Sequence, residues 1–83
     1  MTIQPRILAL LDQCLGLRGR ALHFTAETAL LGAIPELDSL ALVNVLTGIE
    51  ERFGLIVADD DIDGSVFATV GSLTHFVQTR LPD

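Results

Sequence analysis

The sequence predicts an all-α domain: a small four-helix bundle, three main helices plus one short helix, with a long first loop. Three observations carry this expectation. Apolar residues recur at helical spacing in three separate stretches, N-cap residues or glycines stand at the ends of those stretches, and no segment alternates at period two for long enough to be a strand. Ile56 to Ala58 comes nearest to a strand.

The first helix is expected from Ile3, Ile7, Leu11, Cys14 and Leu15, which share one face behind Thr2 as N-cap. Pro5 falls in the first turn, where its missing N–H costs nothing, and Gly16 and Gly19 end the helix. From Gly16 to Leu37 no period is sustained, although Thr25 to Leu31 has the length for one turn of helix and Leu30, Leu31 and Ile34 are candidates to pack the loop. The second helix runs from Asp38 to Phe53 with Leu42, Val45, Leu46, Ile49 and Phe53 inward and Gly54 at its C-terminus. After an acidic connector from Asp59 to Asp63, Gly64 to Ala68 is long enough for the short helix. Thr69 then caps a last helix that buries Val70, Leu73, Phe76, Val77 and Leu81.

Composition narrows the function classes. A chain of 83 residues is expected to form one domain, residues 1–83, and 49% hydrophobic content excludes disorder. The longest apolar run, Ile7 to Leu11, is too short to span a bilayer, and the Met1 segment lacks a basic region ahead of a long apolar one. A cytoplasmic protein without stable membrane insertion is expected. Eleven acidic against 5 basic residues give a formal charge of −6, which repels nucleic-acid backbones and favours partners with basic patches. Cys14 has no cysteine to pair with, and its spacing from Leu11 and Ile7 puts it on the inward face of helix one.

Candidate chemistry concentrates at Asp38-Ser39-Leu40, which opens the second helix directly after Gly32-Ala33-Ile34-Pro35-Glu36-Leu37. Asp and Ser are also ordinary N-cap residues, so the tripeptide gains weight from its position at a helix start, after a long loop, in an acidic all-α chain. With Leu42, Leu46, Ile49 and Phe53 inward, Leu40, Asn44, Thr47 and Glu51 point outward and Val43 lies on a flank. An apolar Leu40 on the wet side fits docking better than folding. Gly48, mid-helix, leaves two readings open: close packing of another backbone, or room for a bound apolar chain near Ile62 to Ala68. No metal site is expected. Asp59, Asp61, Asp63 and Gly64 begin like an EF-hand, but Val70 stands where the bidentate Glu would be. His23 and His75 lack neighbours at ligand spacing, and no base, metal or oxyanion group accompanies a nucleophile, which argues against an enzyme.

From the first helix to Leu81 the sequence resembles the acyl carrier protein family. The resemblance implies that Ser39 accepts 4′-phosphopantetheine from coenzyme A and that Asp38 meets the magnesium or basic groups of the phosphopantetheinyl transferase. It also implies a monomeric carrier without catalysis of its own, which presents acyl thioesters to acyl-loading and acyl-transfer enzymes through Leu40, Val43, Asn44, Thr47 and Glu51. The chain departs from generic fatty-acid carriers in having Ala41 and Asn44 where they place carboxylates, its helix-two acids being Glu50 and Glu51. An aminoacyl or peptidyl carrier, or a small helical adaptor with no prosthetic group, are the alternatives.

Overall fold

The computed structural model of the protein describes residues 3–57 and 64–81. Three α-helices, α1 (Gln4–Leu15), α2 (Ser39–Phe53) and α3 (Val70–Arg80), are joined by a long first connection that contains a 3-10 turn at Arg20–His23. No strand occurs among the described residues, in agreement with the expected fold class.

Helix α1 starts from Ile3, whose carbonyl accepts the N–H groups of Arg6 and Ile7 at 2.9 and 3.0 Å, and no side chain caps it. Thr2, the expected cap, lies outside the described residues. Gly16 ends the helix in the left-handed conformation (φ 65°) that glycine adopts without steric cost. Ile7, Leu8, Leu10, Leu11 and Leu15 are all buried, a wider stripe than the periodicity alone marks, because α1 packs against both α2 and α3. Cys14 sits half-buried on the flank of that stripe, where burial pushes its thiol pKa up and the charge of Arg52 partly opposes the shift.

Gly48 answers its two readings. A Cβ built there would lie 3.0 Å from Leu10 Cδ1 and 3.6 Å from Cys14 Sγ. The missing side chain admits α1, so the space beside Gly48 is filled by protein and the bound-chain reading is withdrawn. Phe53, one turn further on, meets the Arg6 guanidinium 4.5 Å above its ring, so α1 and α2 run antiparallel.

The first connection is held by polar contacts at its start and by backbone pairing in its middle. The Asp12 carboxylate accepts the N–H groups of Gly19 and Ala21 at 2.8 and 3.2 Å, which nucleates the 3-10 turn and buries Ala21 completely. Leu17, Leu30 and Leu37 enter the core, Ile34 is half-buried, and Leu31, expected to pack the loop, is 44% exposed. Thr25 to Thr28 closes one turn, and the chain then extends alongside the entry to α3 instead of continuing as helix. Leu30 and Leu31 donate to the carbonyls of Ala68 and Phe67 at 3.0 and 2.9 Å, while Val70 and Gly71 donate to those of Thr28 and Ala26 at 3.0 and 2.7 Å.

The short helical element lies elsewhere than the sequence predicts. Gly64 to Ala68, the expected site, forms turns instead, and the carbonyls of its last two residues accept the N–H groups of Leu30 and Leu31. The short element is the 3-10 turn at Arg20–His23. The Asp59, Asp61 and Asp63 connector lies outside the described residues.

Helix α3 begins with a reciprocal capping box: Thr69 Oγ1 accepts the Ser72 N–H and Ser72 Oγ accepts the Thr69 N–H, both at 3.0 Å. Val70, Leu73, Phe76 and Val77 are buried as expected, together with Thr74, and Leu81 is half-buried at the end of the helix. Gly71 is closely packed, because a Cβ there would stand 2.9 Å from the Ala26 carbonyl oxygen. Gly71→Ala should therefore lower the unfolding free energy by about 1–3 kcal/mol in urea titration, as overpacking against an immobile backbone atom does. An unchanged midpoint would show that the pairing yields freely.

Candidate functional site

The site is the N-terminal end of α2. Leu37, buried to 4% exposure, anchors the chain just before the helix, and its N–H donates to the Ile34 carbonyl at 3.0 Å. Asp38 is extended (φ −103°, ψ −175°) and caps the helix: its Oδ1 accepts the Ala41 N–H at 2.8 Å and its carbonyl accepts that of Leu42 at 2.9 Å. Ser39 occupies the first helical position with its side chain in solvent, and no hydrogen bond among the described residues uses its hydroxyl. The N–H groups of Ser39 and Leu40 precede the helix's own ladder, and the positive end of the helix dipole adds to them. An exposed hydroxyl beside unpaired donors and a positive dipole end is chemically suited to an anionic ester.

The outward face of α2 matches its sequence expectation residue by residue. Val45, Ile49 and Phe53 are buried and Leu42 and Leu46 lie at the boundary, whereas Leu40 and Val43 are 71% and 55% exposed and Asn44, Thr47 and Glu51 face solvent with them. The two carboxylates near the end of the helix divide their roles. Glu50 Oε2 accepts the Val57 N–H at 2.9 Å and so secures the chain beyond Gly54, leaving Glu51 as the acid presented outward. The N-terminal two-thirds of this face is uncharged.

Sequence reasoning passed over Arg20 and Glu36. The Arg20 guanidinium pairs with Glu36 Oε2, three residues before Ser39, while its Nε donates to the Leu17 carbonyl at 3.2 Å. The Glu36 carboxyl is held below the usual carboxylate range by its own backbone amide and by Arg20. A depressed pKa means that the pair contributes above the ordinary carboxylate pKa and is lost as pH falls through the lowered one. Arg and Glu lie far apart in the chain in an aperiodic loop, so no local pattern signals them. Among the described residues no group of three or more His, Cys, Asp or Glu side chains is placed to hold a metal, and no helix is long and apolar enough to cross a membrane.

The described residues form a three-helix bundle that presents an unengaged serine to solvent at the start of α2, a layout suited to a small carrier domain. No family model and no curated protein matches the chain. Among solved structures, the solution NMR structure of a holo acyl carrier protein from Nitrosomonas europaea is 44% identical, with a TM-score of 0.89 and coverage of 95% of both chains. At that identity and coverage the chain belongs to the acyl carrier protein family, and its function is that of an acyl carrier.

The cap itself is open to measurement. Asp38→Ala should cost about 1 kcal/mol of unfolding free energy by loss of the Ala41 hydrogen bond, and Asp38→Ser should recover most of it. Equal stability of all three proteins would remove the capping role.

Proposed function

We propose that Ser39 is the attachment site of 4′-phosphopantetheine and that the chain carries acyl groups between separate enzymes. The observation that carries this reading is the solvent-exposed, unengaged Ser39 hydroxyl at the first position of α2. In the loading step Ser39 Oγ forms a bond to the pantetheine-bearing phosphorus of coenzyme A as that phosphorus loses its pyrophosphate oxygen. Adenosine 3′,5′-bisphosphate leaves, and the serine proton passes to a base of the transferase. The residues present fit the resulting phosphodiester, since its charge would stand beside the free N–H groups and dipole end of α2. The bound arm supplies the thiol that holds the acyl group as a thioester.

The chain's own residues position and dock; catalysis is assigned to the partner enzymes. Asp38 has one oxygen committed to the cap and its other oxygen available for the magnesium or basic groups of the transferase. Leu40 and Val43, beside Ser39 on the exposed face, would seat in an apolar contact, with Asn44 and Thr47 continuing it and Glu51 meeting a basic group at its far end. We read residues 1–83 as one monomeric domain acting in the cytoplasm.

Intact mass after incubation with coenzyme A, magnesium and a broad-range phosphopantetheinyl transferase tests the attachment. Wild type should gain one phosphopantetheine and Ser39→Ala none; a modified mutant or an unmodified wild type would sink the assignment. For docking, Leu40→Asp should raise the KM for the carrier several-fold while stability changes by under about 0.5 kcal/mol, as for other surface substitutions. A steep fall in melting temperature would instead mark Leu40 as structural.

A further inference from the structure

The segment that delivers the chain to Ser39 is anchored by Leu37 and by short-range backbone bonds, the N–H groups of Ala33 and Ile34 donating to the Leu30 carbonyl at 3.1 and 3.0 Å. Between Gly32 and Asp38, Leu37 is buried, Ile34 is half-buried, and Pro35 has no N–H to donate. Its side-chain ion pair to the first connection comes through Glu36. Its partner Arg20 is itself fixed on the opposite side: the Arg20 N–H and Nε both donate to the Leu17 carbonyl, at 3.1 and 3.2 Å, and Gly19 and Ala21 on either side of it donate to the Asp12 carboxylate of α1. A continuous set of directed polar contacts thus runs from α1, through the 3-10 turn, to the residue one helical turn before Ser39.

We propose that Arg20 is a positioning residue for the modification of Ser39, holding Glu36 and the start of α2 in the orientation the transferase requires. The proposal rests on Ser39 being the attachment site. An ion pair this exposed, with 61% and 36% of the two side chains accessible, adds little to global stability, so its consequence is sought elsewhere. Group transfer is sensitive to placement, a misalignment of 1 Å costing on the order of 10²-fold in rate, and the bond from Ser39 Oγ to phosphorus must form in line with the bond that breaks. A guanidinium suits the task because its fork holds two acceptors at once, the Leu17 carbonyl and the Glu36 carboxylate. Pairing also neutralises Glu36, so that the phosphodiester formed on Ser39 meets one fewer unpaired anion.

A double-mutant cycle on the full chain tests this, with transferase kinetics and amide spectra read in parallel. Arg20→Gln and Glu36→Gln should each lower kcat for phosphopantetheine transfer roughly fivefold with KM for the carrier nearly unchanged, and the double variant should lose no more than either single one. Arg20→Lys, which keeps the charge without the fork, should recover part of the rate. In the unmodified protein Arg20→Gln should shift the Glu36 to Leu40 amide resonances and leave those of the α3 core in place. Additive losses, a loss confined to KM, a rate loss matched by loss of folded protein, or an unmoved Ser39 amide would each overturn the proposal. Failure of the wild type to gain mass would instead overturn the attachment reading, and the amide spectra would still decide whether Arg20 positions the segment.

Discussion

The backbone pairing between residues 26–31 and 67–71 is the constraint on which the rest of this structure depends. A chain of 83 residues has few buried side chains to distribute, and its first connection has no α-helical ladder to satisfy its polar groups. Two strips of backbone solve both problems together. Each supplies donors and acceptors to the other, and the closure seats Leu30 and Phe67, both fully buried, in the same core. Gly71 belongs to this closure as much as any hydrophobic residue, because only a residue without a Cβ lets the Ala26 carbonyl approach its N–H to 2.7 Å.

That closure leaves the N-terminus of α2 outside the packed region. Here Asp38 caps the helix while both it and Ser39 remain exposed, and the core begins only at Leu37 on one side and Val45 on the other. Stability and presentation are therefore separate properties of this end. The helix is held by its inward face and by Glu50 near its far terminus, and the first turn is left exposed. The same separation leaves Leu40 and Val43 exposed, since neither is needed to bury apolar area.

The packing of α1 against α2 takes the opposite approach. Gly48 gives up helix propensity so that Leu10 and Cys14 come close, and the aromatic ring of Phe53 under Arg6 secures the other end of the pair. Cargo has no place in that seam. Any shelter for an attached acyl chain lies away from the α1 side of α2.

What the sequence by itself determined is the part governed by local rules. Helical periodicity placed the three helices, with Gly16, Gly54 and Thr69 as stops and cap, because these depend on residues within one or two turns of each other. Asp38 and Ser39 at the head of α2, and the outward set Leu40, Val43, Asn44, Thr47 and Glu51, follow from the same periodicity. The membership of Leu8 and Leu10 in the core, the partner of Gly48, the exposure of Leu31 and the replacement of a helix at Gly64 to Ala68 by turns were decided by tertiary structure alone. So was the Arg20 to Glu36 tie. Each of these depends on groups far apart in the chain, and their encounter is set by how the long connection closes on α3, for which the sequence carries no periodic signal.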